Sequence, residues 1–386
     1  MPHYVFDART ATPHFPGIGR YVTNLARAMT PLLAPDERLT ILHDPANQLP
    51  ISTSPAVKML PMGASPFSVA QQLEVPRLLH RLGADLYHSA YFLMPYTRQL
   101  EGVPTLLTVY DLIPLLFPRQ STLRARLLAR WATRLALRAA QHVIAISDAT
   151  RRDFVAHFRL QPEKIRVIPL AADPAFHPQA PEVTAAVRAR YGLPDRYLLY
   201  LGSNKPHKNL ERLVEAWALV QPRGPAPLTE QPMPLAVAGA WDDRYPGAKR
   251  RAASLSLEGQ IRWLGPIAEA DLPALYSGAA LFVFASLYEG FGLPVLEAMA
   301  CGTPVVCSNS SSLPEVAGDA ALLANPLDTA ELAKAVRMAL DNEGLRQDMR
   351  ERGLRRAQTF SWRQTAQSSL EMYRTALTSY AHPPHL

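Results

Sequence analysis

The sequence predicts an α/β fold made of two domains, each built around a parallel sheet. Two observations support this prediction: short apolar or β-branched runs alternate with longer amphipathic stretches, and the alternation occurs as two series separated by a connector. The chain has 386 residues, which is enough for two sizeable hydrophobic cores. Apolar residues make up 48% and charged residues 19%, a balance that excludes a disordered or collagen-like chain.

The first series supplies the elements of an N-terminal domain. Its strands are predicted at 3–7, 38–43, 57–61, 104–110, 142–146 and 165–169. Its helices are predicted at 19–32, 69–82, 121–140 and 147–157. From 170 to 195 the pattern breaks into a segment with the proline spacing of a connector. We therefore expect the first domain to span residues 1–175.

The second series supplies the elements of a C-terminal domain, expected at 176–360. Its strands are predicted at 197–201, 235–239, 261–264, 280–284, 303–307 and 320–323. Its helices are predicted at 208–220, 291–301 and 328–343, and the proline-rich segment 221–234 is predicted to be a surface loop. Two such series predict two Rossmann-like domains that face each other across a cleft.

A last helix is predicted at 361–380, within a C-terminal segment spanning 361–386. It follows the second series and belongs to no strand of that series. We expect it to cross back and brace the N-terminal domain.

Several classes of protein are excluded by simple counts. No stretch approaches the ~18 apolar residues of a membrane-spanning helix. The N-terminus, MPHYVFDART, lacks the charged start and apolar block of a signal peptide. The two cysteines, Cys301 and Cys307, form neither a disulfide framework nor a zinc-ribbon pattern. The expected compartment is therefore the cytoplasm.

The charge balance predicts an anionic partner. Forty Lys and Arg residues against 33 Asp and Glu give a net charge of +7. Such an excess suits a phosphorylated small molecule or an anionic membrane surface. Basic residues are not interleaved with aromatic ones, so we expect no nucleic-acid partner. Lysine is scarce, and this makes the closely spaced pair Lys205 and Lys208 notable.

The densest chemical signal is the segment 289–306, EGFGLPVLEAMACGTPVV, which follows the apolar run LFVFAS. Gly290 and Gly292 allow a ligand to approach the backbone, and Pro294 fits the first turn of a helix. Amide groups at such a strand-to-helix turn, together with the helix dipole, form an anion site. The segment therefore predicts a phosphate-binding turn.

Two glutamates flank this turn. Glu289 precedes it and would face the reacting end of a ligand whose phosphates rest on the turn. Glu297, on the first helical turn, is placed to reach ribose hydroxyls. For Glu297 an alternative is that its charge complements the helix dipole.

Three further signals are weaker. In LGSNKPHKN, at 201–209, Lys205 and Lys208 lie between a strand end and a helix start, and lysine suits a phosphate. The Gly17-Ile18-Gly19 turn opens a helix but is not a dinucleotide fingerprint, because its third glycine is missing. Asp111 ends a strand, where it would bind ligand hydroxyls or cap a turn.

Metal-binding signals are absent from the sequence. It contains no His-Glu-x-x-His and no Asp-x-Asp pair, and its histidines form no evident ligand cluster. We expect neither a metal nor a cofactor.

Taken together, these segments resemble the retaining glycosyltransferases of family four, which have the GT-B fold. The likeness covers nearly the whole chain and is carried by EGFGLPVLEAMACGTPVV, LGSNKPHKN, PGIGRY, ISDATRRDF and FSWRQTAQ. It implies that Glu289 lies beside the donor sugar, that Glu297 holds the ribose and that Lys208 neutralises the diphosphate. The catalytic residues implied are Glu289, Lys208 and Asp111. The donor-binding residues implied are Gly17, Gly19, Ser203, Lys205, Lys208, Gly290, Phe291, Gly292, Leu293 and Glu297.

The sequence departs from the family pattern at two places. Ser203 stands where many members carry an arginine. His207 stands where the subgroup most similar in sequence has another arginine. Lys205 would replace part of this missing charge. Tyr110 stands where many relatives have a histidine that contacts the transferred sugar.

The resemblance implies transfer of a hexose from a nucleotide diphosphate sugar to a glycan or lipid-linked acceptor, with retention. The segments PGIGRY and DLIPLLFP resemble a mannosyltransferase-like subgroup of the family, and this resemblance favours mannose from GDP-mannose. Three alternatives stay open: a nucleotide-sugar epimerase on the same fold, a non-catalytic nucleotide-sugar-binding protein, and a nicotinamide-dependent oxidoreductase. The incomplete Gly-x-Gly loop disfavours the last of these.

The predicted helix 121–140 carries arginines at every fourth position: Arg126, Arg130, Arg134 and Arg138. Residues four apart lie on one side of a helix, so these arginines form a stripe beside Leu127, Trp131 and Leu135. The stripe is either an ordinary solvated face or a dock for anionic lipid. The second reading would place the protein at the inner face of a membrane.

Overall fold

A computed structural model describes residues 1–12, 16–47, 51, 54–96, 100, 102–117, 122–221 and 233–381. The chain divides into two compact units. Unit 1 comprises Met1–Leu170 and Ser361–Leu386, and unit 2 comprises Ala171–Phe360. Most of the predicted surface loop 221–234 lies outside the described residues.

Unit 1 is built on a seven-stranded parallel sheet in the order β3-β2-β1-β4-β5-β6-β7. The strands are β1 (His3–Asp7), β2 (Arg38–His43), β3 (Val57–Pro61), β4 (Leu86–Ser89), β5 (Thr105–Val109), β6 (His142–Ala145) and β7 (Ile165–Val167). All five residues of β5 are buried, as expected for a strand covered on both faces.

The helices of unit 1 are α1 (Pro16–Met29), α2 (Gln71–Leu82), α3 (Ile113–Leu116), α4 (Leu123–Ala139), α5 (Asp148–Phe158) and the C-terminal α14 (Trp362–Ala381). Short 3₁₀ turns occur at Thr30–Leu32 and Pro162–Lys164. Ser147 caps α5 by accepting from the Thr150 amide. Helix α14 packs against α1 and joins unit 1 although it is last in the chain.

Strand β4 lies at the centre of the sheet and was not predicted. Its sequence, LYHS, is half polar, yet all four residues are buried. His88 is accommodated because both ring nitrogens have partners: Nε2 lies 2.7 Å from the Thr108 hydroxyl and Nδ1 lies 2.7 Å from the Tyr373 hydroxyl. The polar group is satisfied by distant residues, a condition that the local pattern does not reveal.

Unit 2 is built on a six-stranded parallel sheet in the order β10-β9-β8-β11-β12-β13. The strands are β8 (Leu198–Leu201), β9 (Leu235–Ala238), β10 (Ile261–Gly265), β11 (Leu281–Phe284), β12 (Val305–Ser308) and β13 (Ala321–Ala324). The strands predicted for this half of the chain agree with these. Two parallel sheets covered by helices confirm the predicted α/β class.

The helices of unit 2 are α6 (Pro181–Arg190), α7 (Leu210–Val220), α8 (Gly247–Ser254), α9 (Leu272–Ser277), α10 (Leu293–Ala300), α11 (Leu313–Ala317), α12 (Thr329–Asp341) and α13 (Glu343–Gln358). Short 3₁₀ turns occur at Pro206–Lys208 and Glu269–Asp271. Helix α6 lies inside the segment that we predicted to be a connector. Helix α13 was also missed, since it buries only Met349 and Gly353 and so shows no apolar stripe.

In the ranges that the structure describes, we find no helix with the length and apolar character needed to cross a membrane.

Candidate functional site

The two strongest sequence candidates, Lys208 and Glu289, meet at one edge of the unit 2 sheet. Lys208 follows β8 and Glu289 follows β11, and these strands are neighbours, so both residues lie at the carboxyl edge. Lys208 Nζ donates a 2.7 Å hydrogen bond to Glu289 Oε1. Lys208 Nζ also lies 5.2 Å from the centre of the Phe284 ring. The edge thus holds a cation and a carboxylate in direct contact.

Backbone contacts hold Lys208 in this position. The Leu287 amide donates to the carbonyl of His207 at 2.7 Å and so ties the two loops together. Asn209 has a left-handed backbone, with φ of 57°, and its Nδ2 donates to the carbonyls of Ala285 and Pro326. Asparagine tolerates this conformation better than most residues. The lysine is therefore held by a rigid turn.

His207 is neutral in this arrangement. It is buried, and burial together with the positive charges of Lys208 and Lys205 lowers the pKa of His207 to about 3. It stands where the subgroup has an arginine, and it adds no charge to the site. The charge there comes from Lys208 and the exposed Lys205.

Three serines that follow β12 hold the loop that carries Glu289. Ser310 Oγ donates to the carbonyl of Leu287 at 3.0 Å. Ser311 Oγ accepts from the Glu289 amide at 2.9 Å, and Ser312 Oγ donates to the carbonyls of Glu289 and Phe291 at 2.9 and 2.7 Å. The glutamate backbone is thereby fixed from a neighbouring strand end.

The glycine turn ahead of α10 is sterically required. Gly292 has φ of +105°, and a Cβ on it would lie 2.6 Å from Leu313 Cδ2. Helix α10 begins at the next residue, Leu293, so its N-terminus lies directly beside the Glu289 loop. The helix end contributes a partial positive charge at this edge. Phe291, in the same turn, is buried and packs its ring on Phe360 at 5.9 Å.

Glu297 is more deeply buried than Glu289. It is 1% exposed, and its Oε2 accepts a 3.1 Å hydrogen bond from the Tyr276 hydroxyl. Tyr276 comes from α9. In this structure Glu297 is held by a tyrosine, and its contact with a ribose stays a prediction.

The loop after β8 also has a defined shape. The Tyr200 hydroxyl donates to the carbonyl of Ser203 at 2.8 Å. Burial, with the nearby charge of Glu289, raises the pKa of Tyr200 well above its usual value, so the phenol stays protonated. A Cβ on Gly239, where φ is +124°, would lie 2.3 Å from the Gly202 carbonyl oxygen. The carboxyl ends of β8 and β9 thus meet backbone to backbone.

The remaining candidates, Gly17, Gly19 and Asp111, belong to unit 1. Both glycines lie in the first turn of α1, and an added Cβ at either position would meet no atom of the described residues within 4 Å. Within the described residues, neither packing nor a positive φ requires glycine there, and the contact of these glycines with a ligand stays a prediction. Asp111 Oδ1 accepts from the Ile113 amide at 2.9 Å, so the capping role is observed. Its ligand contact stays a prediction.

Tyr110 does not reproduce the chemistry of the family histidine. Its hydroxyl donates to the carbonyl of Ala90 at 2.7 Å, and its ring packs edge-on against Tyr21. Burial raises the pKa of Tyr110 well above its usual value. The Tyr110 side chain links the ends of β4 and β5, so it acts as a structural group.

Comparison with known proteins places the chain in a family. Residues 186–356 match the family described as Glycosyl transferases group 1, and residues 16–176 match Glycosyltransferase Family 4. The O-antigen chain mannosyltransferase B of Escherichia coli is 33% identical over 296 residues, which cover 75% of this chain and 74% of that protein. The chain belongs to glycosyltransferase family 4.

Other relatives of this glycosyltransferase are also sugar transferases. The serotype-specific mannosyltransferase WbdA of Escherichia coli is 32% identical over 286 residues, which are 72% of this chain but only 34% of that protein. The chain therefore spans about a third of WbdA.

Solved structures show the same fold as this glycosyltransferase. Sucrose-phosphate synthase from Thermosynechococcus elongatus has a TM-score of 0.74 at 22% identity, with 98% of this chain and 100% of that chain covered. Anabaena HepE in complex with UDP-glucose has a TM-score of 0.74 at 20% identity, with 97% and 100% covered. The predicted GT-B fold is confirmed.

Sequence reasoning missed the residues that position this transferase's ion pair. Ser311, Ser312 and Asn209 hold the loops, and Tyr276 holds Glu297. One signal was available: the run SNSSS follows a buried strand, and polar residues at the carboxyl end of a parallel strand lie where ligands bind. Asn209 and Tyr276 gave no such signal.

Proposed function

We propose that this glycosyltransferase moves a hexose from a nucleotide diphosphate sugar to a glycan or lipid-linked acceptor, with retention at the anomeric carbon. The observation that carries the proposal is the 2.7 Å contact between Lys208 and Glu289 at the carboxyl edge of the unit 2 sheet. A cation and a carboxylate side by side match the two charges that appear when a glycosidic bond to a phosphate breaks.

The charges develop on opposite sides of the breaking bond. The bond between the anomeric carbon and the phosphate oxygen releases its electron pair to the diphosphate, which becomes more negative. Lys208 and the amide end of α10 stabilise that charge. The sugar ring becomes positive, and Glu289 stabilises it. A well-placed group of this kind contributes about 3–4 kcal/mol to transition-state stabilisation.

In the single-step route to retention that we propose, the acceptor hydroxyl enters on the face that the phosphate leaves. The departing phosphate oxygen takes the acceptor proton, so no separate acid and base pair is needed. We propose that the reaction is metal-independent and uses no cofactor, because Lys208 and the helix end supply the positive charge that a metal would bring.

The relatives support a mannose donor and a glycan acceptor. The O-antigen chain mannosyltransferase B and WbdA are named as mannosyltransferases, and the name of the first includes an O-antigen chain. We therefore propose GDP-mannose as donor. The acceptor is a glycan or a lipid-linked glycan, the reaction is cytoplasmic, and the lipid-linked form would be met at an anionic membrane surface.

One observation favours a second candidate, a non-catalytic nucleotide-sugar-binding protein. Tyr110 replaces the family histidine, and its hydroxyl is bonded to Ala90. Donor binding without transfer to any acceptor would support that candidate.

The proposal is tested by a panel of nucleotide diphosphate sugars. We expect GDP-mannose to raise the melting temperature most, since a ligand that binds the folded state stabilises it. Transfer from that donor should continue in excess EDTA, and NMR of the product should show the donor's anomeric configuration. Loss of transfer in EDTA with recovery on adding Mg²⁺ or Mn²⁺ would contradict the metal-free mechanism, and an inverted product would contradict retention.

A further inference from the structure

Helix α4 presents an outward face that mixes large apolar side chains with arginines. Leu123, Leu127, Leu128 and Trp131 are 61%, 53%, 72% and 65% exposed. The 17-residue helix, LRARLLARWATRLALRA, contains arginines but no acidic residue. A soluble surface rarely leaves so many large apolar side chains in water within three turns.

The apolar and basic side chains lie on the same side of the helix. Leu127, Trp131, Arg134 and Arg138 are spaced four, three and four residues apart, which places them in one row. The side that packs on unit 1 is a different one, formed by Thr133, Ala136 and Leu137. Arg126, which the sequence placed in the arginine stripe, is partly buried instead.

Two surface depressions lie along this helix. The first, of about 360 Å³, is lined by Leu115, Leu123, Arg126, Leu127, Arg130, His157 and Phe158. The second, of about 320 Å³, is lined by Arg134, Leu137, Arg138, Phe158, Arg159, Leu160, Gln161 and Lys164. Among the residues that the structure describes, neither lining includes a carboxylate. The second brings four basic side chains around an apolar floor, a chemistry that suits a phosphate group attached to something apolar.

Among the described residues, two basic side chains that line these depressions lie in unfavourable surroundings. Arg126 Nε is buried without a hydrogen-bond partner. Burial lowers the pKa of Lys164, so an approaching anion would offset the cost of its charged form. Both side chains would gain from an anion.

We propose that the α4 face, defined as Leu123, Leu127, Leu128, Trp131, Arg134 and Arg138 with Arg159 and Lys164, docks the protein on an anionic lipid surface. Leucine and tryptophan enter the boundary between head groups and acyl chains, and lipid phosphates occupy the basic depression. This proposal rests on the proposed function in one respect: docking would bring the enzyme to a lipid-linked acceptor.

Charge decides between a lipid surface and the other occupants. A second copy of this chain would set arginines against arginines, a repulsive pairing. A free phosphate would fill the basic depression but leave Leu128 and Trp131 in water. An anionic membrane satisfies both sets of side chains.

Vesicle flotation of the full-length protein, without nucleotide, tests the proposal. We expect binding to phosphatidylglycerol-containing vesicles and none to phosphatidylcholine alone, with a blue shift of tryptophan emission that Trp131→Phe removes. Because each basic residue near an anionic surface contributes about fivefold in affinity, Arg134→Gln with Arg138→Gln should weaken binding about 25-fold. Raising the salt to about 0.5 M should weaken wild-type binding as well.

The matched control removes the same net charge elsewhere. Arg250→Gln with Arg355→Gln changes two exposed arginines of unit 2 and should leave vesicle binding unchanged. GDP affinity should be the same in both double variants, so a failed donor proposal and a failed lipid proposal are distinguishable. Equal binding to both vesicle types, binding to neither, or equal loss in the two double variants would overturn the lipid surface. A change in oligomeric state without lipid binding would overturn it in favour of a second copy.

Discussion

At the scale of single residues, the ion pair between Lys208 and Glu289 dominates the site. The side chains of both residues are mostly buried, at 18% and 11% exposed, so the pair is shielded from solvent screening. Each partner has a separate task in the proposed reaction, since the lysine meets the leaving group and the glutamate meets the sugar. Variants of the two residues should therefore fail in different ways.

Lys208→Ala should weaken the binding of free GDP as well as transfer. The diphosphate is charged in both the ground state and the transition state, and a charge-assisted hydrogen bond contributes about 1.5–3 kcal/mol, or roughly tenfold to 100-fold in affinity. Titration calorimetry with GDP measures the loss. Lys334→Ala, an exposed lysine on α12, is the matched control. Unchanged GDP affinity in Lys208→Ala would make Lys208 a structural partner of Glu289 only.

At the scale of elements, α14 makes polar contacts with the rest of unit 1. The Tyr373 hydroxyl meets His88 Nδ1 at 2.7 Å, and Arg374 pairs with Glu37 at 2.8 Å. Tyr4 donates to the same glutamate at 2.7 Å. Two successive residues of α14 are thus joined to β4 and to the loop before β2.

Tyr373→Phe should loosen this helix. It removes the hydroxyl but keeps the ring, and it leaves His88 Nδ1 buried without that partner, at a cost of about 1–3 kcal/mol. Hydrogen exchange should report faster exchange in α14 and β4 and unchanged exchange in unit 2. Tyr96→Phe, at an exposed tyrosine of unit 1, should behave as wild type. Equal exchange in Tyr373→Phe and wild type would show that apolar packing alone holds the helix.

The elements also show where prediction from sequence succeeded and where it failed. Strands β8 to β13 follow apolar runs bounded by turns, so their pattern was sufficient. Strand β4 was missed because His88 is made tolerable by Thr108 and Tyr373, residues far away in sequence. Helix α13 was missed because it packs through Gly353 against Met299 and needs no apolar stripe.

The sequence identified the site residues one by one, whereas the structure shows two of them, Lys208 and Glu289, in contact. Glycines, glutamates and lysines at strand ends identified Lys208 and Glu289 individually. Their 2.7 Å separation depends on the left-handed Asn209 and on the serines after β12, which act through tertiary hydrogen bonds. Spacing along a chain does not encode such contacts.

At the scale of the whole molecule, both units contain a buried histidine kept neutral. Burial lowers the pKa of His88 in unit 1 to about 3, and burial with two nearby lysines lowers the pKa of His207 in unit 2 to about 3. The pKa of His142 is also lowered, by burial and by Lys164. In the unfolded chain a histidine has a pKa of about 6.5.

Acidification should therefore destabilise both units before their carboxylates titrate. Below about pH 6.5 the histidines of the unfolded chain bind protons, whereas those of the folded chain do not. The free energy of unfolding therefore falls as the pH drops, by up to about 1.4 kcal/mol per pH unit for each histidine. Denaturant unfolding between about pH 7 and 4.5, followed by hydrogen exchange in each unit, measures the slope. His88→Gln should reduce the slope in unit 1 alone, where His142 still contributes, and His207→Gln should reduce it in unit 2 alone. A pH-independent stability over this range would show that these histidines bind protons in the folded chain as they do in the unfolded chain.

The proposed reaction depends on the charge that Glu289 presents to the sugar. The most direct measurement is the rate of hexose transfer by Glu289→Gln at saturating donor, beside Glu258→Gln as an exposed control in unit 2. The amide keeps the size of the side chain but cannot stabilise a developing cation, so we predict a rate at least ~100-fold below wild type with the fold and GDP binding retained. A Glu289→Gln rate within about threefold of wild type would show that the charge of Glu289 does not stabilise the transition state.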